Sequence, residues 1–145
     1  MFSSIETTSE GNPVISYVMS NGDGSTQIRL ASFFDGQWTF ETIDTLADLT
    51  TGFIFARNAT SLELDPADQP YVAYTGESTI KFATKSGDTW QIEVVDIIEN
   101  NAGFRFGEQV DLERDREGGW HLVSFDITST SPLSGNILYY RADGS

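Results

Sequence analysis

The chain contains no cysteine. Disulfides and thiolate metal sites are thereby excluded, while the compartment stays open. There is one histidine, His121, which alone cannot build a histidine-based metal cluster. Its place among strand residues makes it a packed residue rather than a catalytic base. Basic residues are scarce: 8 Lys and Arg stand against 22 Asp and Glu, a formal net charge of −14. That field repels phosphate backbones and anionic bilayers, so neither nucleic acid nor a membrane is an expected partner. Cations and neutral sugars suit it better, and the acidity also favours solubility. No run of 18 apolar residues is present, so no segment has the length of a membrane-spanning helix. The opening Met1-Phe2-Ser3-Ser4-Ile5 has neither a basic nor a long apolar stretch. A leader already removed, or a cut from a longer chain, leaves such a start. An extracellular or secreted setting is the favoured expectation.

One pattern is written nearly three times. Ser61-Leu62-Glu63-Leu64-Asp65 and the following Pro70-Tyr71-Val72-Ala73-Tyr74 align with Ser4-Ile5-Glu6-Thr7-Thr8 and Pro13-Val14-Ile15-Ser16-Tyr17. They align again with Asp111-Leu112-Glu113-Arg114-Asp115 and Trp120-His121-Leu122-Val123-Ser124. A repeat near 50 residues signals stacked supersecondary units. The 39% of hydrophobic residues is enough for a core and argues against disorder.

Each unit reads as four short strands. The first carries Glu6, Glu63 or Glu113. A polar turn of Gly, Asn, Pro and Asp follows, then a second strand rich in β-branched and aromatic residues. Linkers to the third strand vary in length, with Ser20–Ser25 and Ser129–Gly135 read as long loops. The third strand is Ile28–Ala31, Ile80–Ala83 or Ile137–Tyr140. The fourth begins at Trp38 or Trp90, and its Trp, Glu and Asp recur as Trp38, Glu41, Asp44 and Trp90, Glu93, Asp96. No helical periodicity competes.

Four antiparallel strands in about 50 residues make one blade of a β-propeller. The repeat resembles bacterial propeller blades of the pattern S-L-x-L-D-x-x-G-x-P-x-[VI]-x-Y, then x-K-[FY]-A-T, then W-x-x-E-x-V-D. Residues 61–96 match it closely. Residues 4–44 carry Thr8 in place of the Asp, and residues 111–141 carry Trp120 in place of the Pro. The turn Ser86-Gly87-Asp88-Thr89-Trp90 resembles a shortened Asp-box of the sialidase type, which in that family braces a hairpin.

The expected fold is therefore all-β, a single partial propeller over 1–145. Its blades lie at 4–46, 60–98 and 110–145, the third lacking its outer strand. Propellers typically close with about four to eight blades, so three leave a ring open. Completion by self-assembly, two copies giving six blades, is favoured over completion by further chain.

Two groups of candidate site residues follow. Glu6, Glu63 and Glu113 recur on the first strand, the innermost in propellers. They form either a carboxylate ring for a cation such as calcium or polar partners of Arg29 and Lys81. Phe53, Phe55, Arg57, Phe104, Arg105 and Phe106 lie in the connections between units. There they either hold a sugar or wedge between blades. Asn21–Ser25 lacks the acidic ligand series of a calcium loop. No catalytic constellation stands out and no cofactor is required, so a non-catalytic, lectin-like module is the leading expectation. A scaffolding propeller and a sialidase-like hydrolase are the alternatives; the hydrolase would need paired acids or a Tyr with its acid partner.

Overall fold

In a computed structural model, the chain is described at residues 3–46, 59–76, 79–97, 109–130 and 133–143. The fold is all-β, with antiparallel pairing throughout the described residues. The first sheet contains β1 (Ser3–Thr7), β2 (Pro13–Ser20), β3 (Thr26–Phe34) and β4 (Gln37–Leu46) in chain order. The second contains β5 (Thr60–Leu64), β6 (Pro70–Gly76), β7 (Thr79–Ser86) and β8 (Thr89–Ile97). The third contains β9 (Val110–Arg114), β10 (Trp120–Thr130) and β11 (Leu133–Ala142). Two sheets of four strands and one of three follow the repeat read from the sequence.

The Ser129–Gly135 segment differs from its expected form. Strands β10 and β11 pair as far as Thr130 with Leu133, so most of that stretch is a long hairpin. Its Ser, Thr, Pro and Gly content reads as loop, but a cross-strand ladder overrides such weak local preference.

The turn between the first two strands is the same object three times. In each unit one residue bonds both ways across it: Thr8 N–H to Asn12 O, Asp65 N–H to Gln69 O and Asp115 N–H to Gly119 O. The side chain of that residue also accepts from the far end of the turn. Asp65 Oδ1 takes the Gln69 N–H at 2.9 Å, Asp115 Oδ1 the Gly119 N–H at 2.7 Å, and Thr8 Oγ1 the Asn12 N–H at 3.0 Å. The recurring Asp is therefore an Asx-turn organiser. The penultimate turn position is left-handed in all three: Gly11 at φ 83°, Asp68 at 61° and Gly118 at 93°. Asp68 is the exception to glycine here, and its carboxylate bonds Ser9 N–H at 2.8 Å and Ser9 Oγ at 2.6 Å. That joins the first and second units. Gly118 lies further into the left-handed region at φ 93°, and an added Cβ there would lie 3.0 Å from Arg114 Nη2, which would have to give way. Gly118→Ala is expected to cost about 1–2 kcal/mol, from left-handed strain plus displacement of Arg114, as read from urea unfolding midpoints.

The sheets meet along their first strands: β1 lies against β5, and β5 against β9. Between the first and second sheets, Val14, Ile28, Leu30, Leu62, Val72 and Tyr74 form a buried cluster. Between the second and third, Ala73, Ile80, Val110, Leu112 and Leu122 form another, edged by Phe82, Trp120 and Tyr140. Alternating residues of the middle sheet thus serve opposite interfaces, as period-two side-chain direction requires. A buried Ser16–Thr60 hydroxyl pair at 2.9 Å crosses the first interface. Ser61 Oγ crosses the second, accepting the Leu112 N–H at 3.1 Å.

The fourth strands carry matching irregularities. Register shifts between Ile28 and Arg29 opposite β4, and between Ile80 and Lys81 opposite β8. Asp44 and Asp96 stand just past these bulges, which re-aim a side chain. Each turns one oxygen back to the next backbone N–H, Thr45 at 2.8 Å and Ile97 at 2.7 Å. The other oxygen reaches the following sheet. Asp44 Oδ2 accepts from Tyr74 Oη at 2.7 Å and Lys81 Nζ at 3.0 Å, and Asp96 Oδ2 accepts from Tyr140 Oη. A carboxylate clasp therefore recurs at both interfaces.

Candidate functional site

The three recurring glutamates stand at one register on the first strands, opposite Val14, Tyr71 and His121 respectively. Glu63, in the middle, is half-buried. Burial pushes its carboxyl up to about 7, and the charges of Glu6, Glu113 and Asp111 add to the push. Among the described residues no group of three acidic or histidine side chains is placed to hold a metal ion. Of the suggested partners, Lys81 binds Asp44, and the Arg29 guanidinium lies near the Tyr17 and Phe40 rings. First-strand residues from adjoining sheets are brought close by the packing, and like charges come with them.

A cleft of about 410 Å³ opens where the first strands begin, lined by Ser3, Thr60, Val110, Asp111, Ser124 and Phe125. All three sheets contribute to it. A second cleft, of about 240 Å³, lies between the second and third sheets. Phe82, Glu93, Leu112, Trp120, Tyr140 and Ala142 line it. Trp120 is its aromatic wall: its ring centroid is 4.2 Å from Tyr71 and 5.8 Å from Phe82, and Arg114 Cζ lies 5.5 Å from it. Burial, with the Asp65 carboxylate second, raises the Tyr71 hydroxyl.

The matching position between the first and second sheets is closed by an ion pair. Lys85 Nζ sits 2.6 Å from Glu41 Oε2 and 5.9 Å from the Trp90 ring centroid. Glu93 is the repeat equivalent of Glu41. The equivalent of Lys85 by register is Ala142, which pairs with Trp120. Loss of that long cation leaves Glu93 lining an open cleft. Two departures from the repeat, Trp120 for Pro and Ala142 for Lys, shape this one site. The Trp120 departure was legible in the sequence; the Ala142 departure needed the strand register.

His121 is not a packed core residue. It is partly exposed and bonded at both ring nitrogens, Nε2 to Asp115 Oδ2 at 2.9 Å and Nδ1 to Tyr139 Oη at 2.8 Å. The bond from His121, then the Gly119 N–H, hold the Asp115 carboxyl down at about 2. The Asn21–Ser25 turn satisfies itself: Asp23 Oδ1 accepts the Ser25 N–H at 2.9 Å and Asn21 Nδ2 donates to Ser25 Oγ at 2.8 Å. The Ser86–Trp90 segment holds a two-residue hairpin turn, Gly87-Asp88, closed by Ser86 opposite Thr89, with Gly87 at φ 59°. The expected ligand residues Phe53, Phe55, Arg57, Phe104, Arg105 and Phe106 lie outside the described residues.

No family model matches this chain, and no curated protein matches it in sequence. Among solved structures it is similar to a fucose lectin from Kordia zhangzhouensis, determined in complex with methyl-fucoside. The TM-score is 0.59 at 12% identity, over 99% of this chain and 93% of the lectin chain, so what the two share is a fold.

Proposed function

We propose that this chain is a non-catalytic, glycan-binding module whose three sheets are successive blades of a propeller. The observation that carries this reading is the cleft beside Trp120. An indole face stacks on the C–H surface of a sugar ring, and a carboxylate such as Glu93 accepts from vicinal hydroxyls. A cleft of a few hundred Å³ suits a monosaccharide unit rather than a long chain. A net charge of −14 disfavours anionic sugars, so a neutral one is the expected ligand. The lectin of similar fold, crystallised with a methyl-fucoside, makes that sugar the first to try. Self-assembly into a closed ring belongs to this proposal, as does an extracellular setting.

Calorimetric titration with methyl-fucoside and a panel of neutral monosaccharides tests it. Saturable heat is expected for at least one sugar. Glu93→Ala and Trp120→Phe are each expected to weaken binding about tenfold, from one lost charge-assisted bond or part of a stacking surface. If Phe104→Ala removes binding while Glu93→Ala does not, the sugar is held by the segment around Phe104 instead. No heat with any sugar would leave the scaffolding reading in its place.

A further inference from the structure

The carboxylate receptor of the first interface is repeated on the first sheet, where no described sheet supplies the carboxylate. At the first interface, the receptor of the Asp44 carboxylate is a cross-strand pair, Tyr74 on β6 opposite Lys81 on β7. The same positions on the first sheet hold Tyr17 on β2 opposite Arg29 on β3. A phenol beside a long cation is thus repeated, on a sheet that no described sheet precedes.

Arg29 shows what it lacks. Its Cζ lies 6.0 Å from the Tyr17 ring centroid and 5.9 Å from that of Phe40. Among the described residues its Nη1 reaches only the sulfur of Met19, at 3.5 Å. Its Nε is buried with no hydrogen-bond partner, and no ion pair to it occurs among the described residues. A buried guanidinium N–H left unbonded is uncommon and costly, the more so in a chain with 22 acidic residues. Around it the same face carries Ile5 and Phe40, both more than half exposed, so the receptor sits in an apolar surround. At the far end of the molecule β11 is an edge strand, and the third sheet has no fourth strand among the described residues.

We propose that Tyr17 and Arg29 form a carboxylate receptor for the aspartate of a fourth-position strand, of the pattern Trp-x-x-Glu-x-[Ile/Val]-Asp. That strand belongs to a further sheet of this same repeat, packed on the open face of the first sheet. Its aspartate donates no proton; it accepts from the Tyr17 hydroxyl and the Arg29 guanidinium, as Asp44 accepts from Tyr74 and Lys81. Charge complementarity and continuity with the first interface, whose receptor positions are the same, select this occupant. The inference rests on reading the sheets as successive blades, but it does not need sugar binding.

A nonapeptide with the sequence of residues 89–97 supplies such a strand to the intact chain. Added to the chain, it is expected to pair on β11 of one copy by strand addition, and to place its aspartate against Tyr17 and Arg29 of the next. Sedimentation should show peptide-dependent association. The same peptide with asparagine for its aspartate, or the Arg29→Met chain, should weaken association about 10- to 100-fold, the worth of a charge-assisted bond. Arg29→Lys should restore it, because Lys81 fills the equivalent place. Circular dichroism and melting of Arg29→Met check that the chain stays folded. Association unchanged by Arg29→Met or by the asparagine peptide would overturn the receptor. Association of the chain without peptide, dependent on Arg29, would overturn the fourth-strand occupant. Either result leaves the sugar titration to be judged separately.

Discussion

Asp44→Ala is expected to lower the stability of the chain by about 3 kcal/mol, the largest loss among single polar substitutions here. The side chains of Lys81 and Asp44 are only 12% and 18% exposed, so this is not a solvated surface pair. Deleting the carboxylate removes an acceptor from a largely buried ammonium and from the Tyr74 hydroxyl together. Asp44→Asn should cost less, because an amide oxygen still accepts from Tyr74 while the charge attraction is lost. Lys81→Met, a volume-matched apolar change, should cost less again, since the remaining carboxylate keeps its bonds to Tyr74 and to Thr45 N–H. Burial alone would raise the Asp44 carboxyl. The bonds from Tyr74 and Lys81 outweigh it, and the net direction is down from 3.8. A depressed carboxyl stabilises the fold above its unfolded value. That contribution fades as pH falls below about 4 and through the lower folded value. Urea unfolding at pH 7 and pH 3 measures both effects: the gap between wild type and Asp44→Ala should narrow at pH 3. A constant gap would show that the clasp acts through packing rather than charge.

Much of the architecture was legible because a repeat is redundant. One unit that matches its pattern closely, residues 61–96, fixes the reading of two weaker ones. The recurrence of Asp44 and Asp96 at one position of the fourth strand was visible as a pattern, but its purpose was not. The purpose depends on a bulge and on a partner one sheet away, and neither leaves a local trace. The Asp65 and Asp115 turns show the opposite case: side chain, turn and left-handed residue all fall within five positions, and the sequence carries the whole device. The glutamate row lies between. Equal register was readable, and so was proximity once the first strands were taken as innermost. On the third strands Lys81 pairs with Asp44 and Lys85 with Glu41, partners one sheet away that leave no local trace in the sequence. The cleft beside Trp120 was half legible: a Trp where the pattern has Pro was plain, but Ala142 matters only through its pairing with Trp120. His121 was misread because strand position was taken to mean burial. On the third sheet that face is not covered by another described sheet, and Val123 and Tyr139 are exposed beside it.

Glu63→Gln should stabilise the chain at pH 8 and do little at pH 5. The folded carboxyl titrates at about 7, against an ordinary 4.5, because burial and three neighbouring carboxylates disfavour its charge. A raised carboxyl means that the folded chain binds more protons than the unfolded one between these values. Stability is therefore highest below about 4.5 on this account, falls as pH rises toward 7, and is lowest above it. The full shift overstates the cost, since Glu63 is only half-buried and solvent and salt screen part of the repulsion. A cost on the order of 1–2 kcal/mol at pH 8 is expected, or about 3–6 °C in Tm for a chain of this size. Glutamine keeps the shape and removes the charge, so it should recover most of that amount and flatten the dependence between pH 5 and 8. Added salt should raise the wild-type Tm at pH 8 and leave Glu63→Gln nearly unmoved. Below pH 4 the Asp44 clasp takes over, with the opposite slope. The two groups together predict a maximum of stability between their titrations, near pH 5. A melting profile that rises steadily from pH 5 to 8 would contradict the assignment, for it would mean that the charge of Glu63 beside Glu6, Glu113 and Asp111 costs the fold nothing.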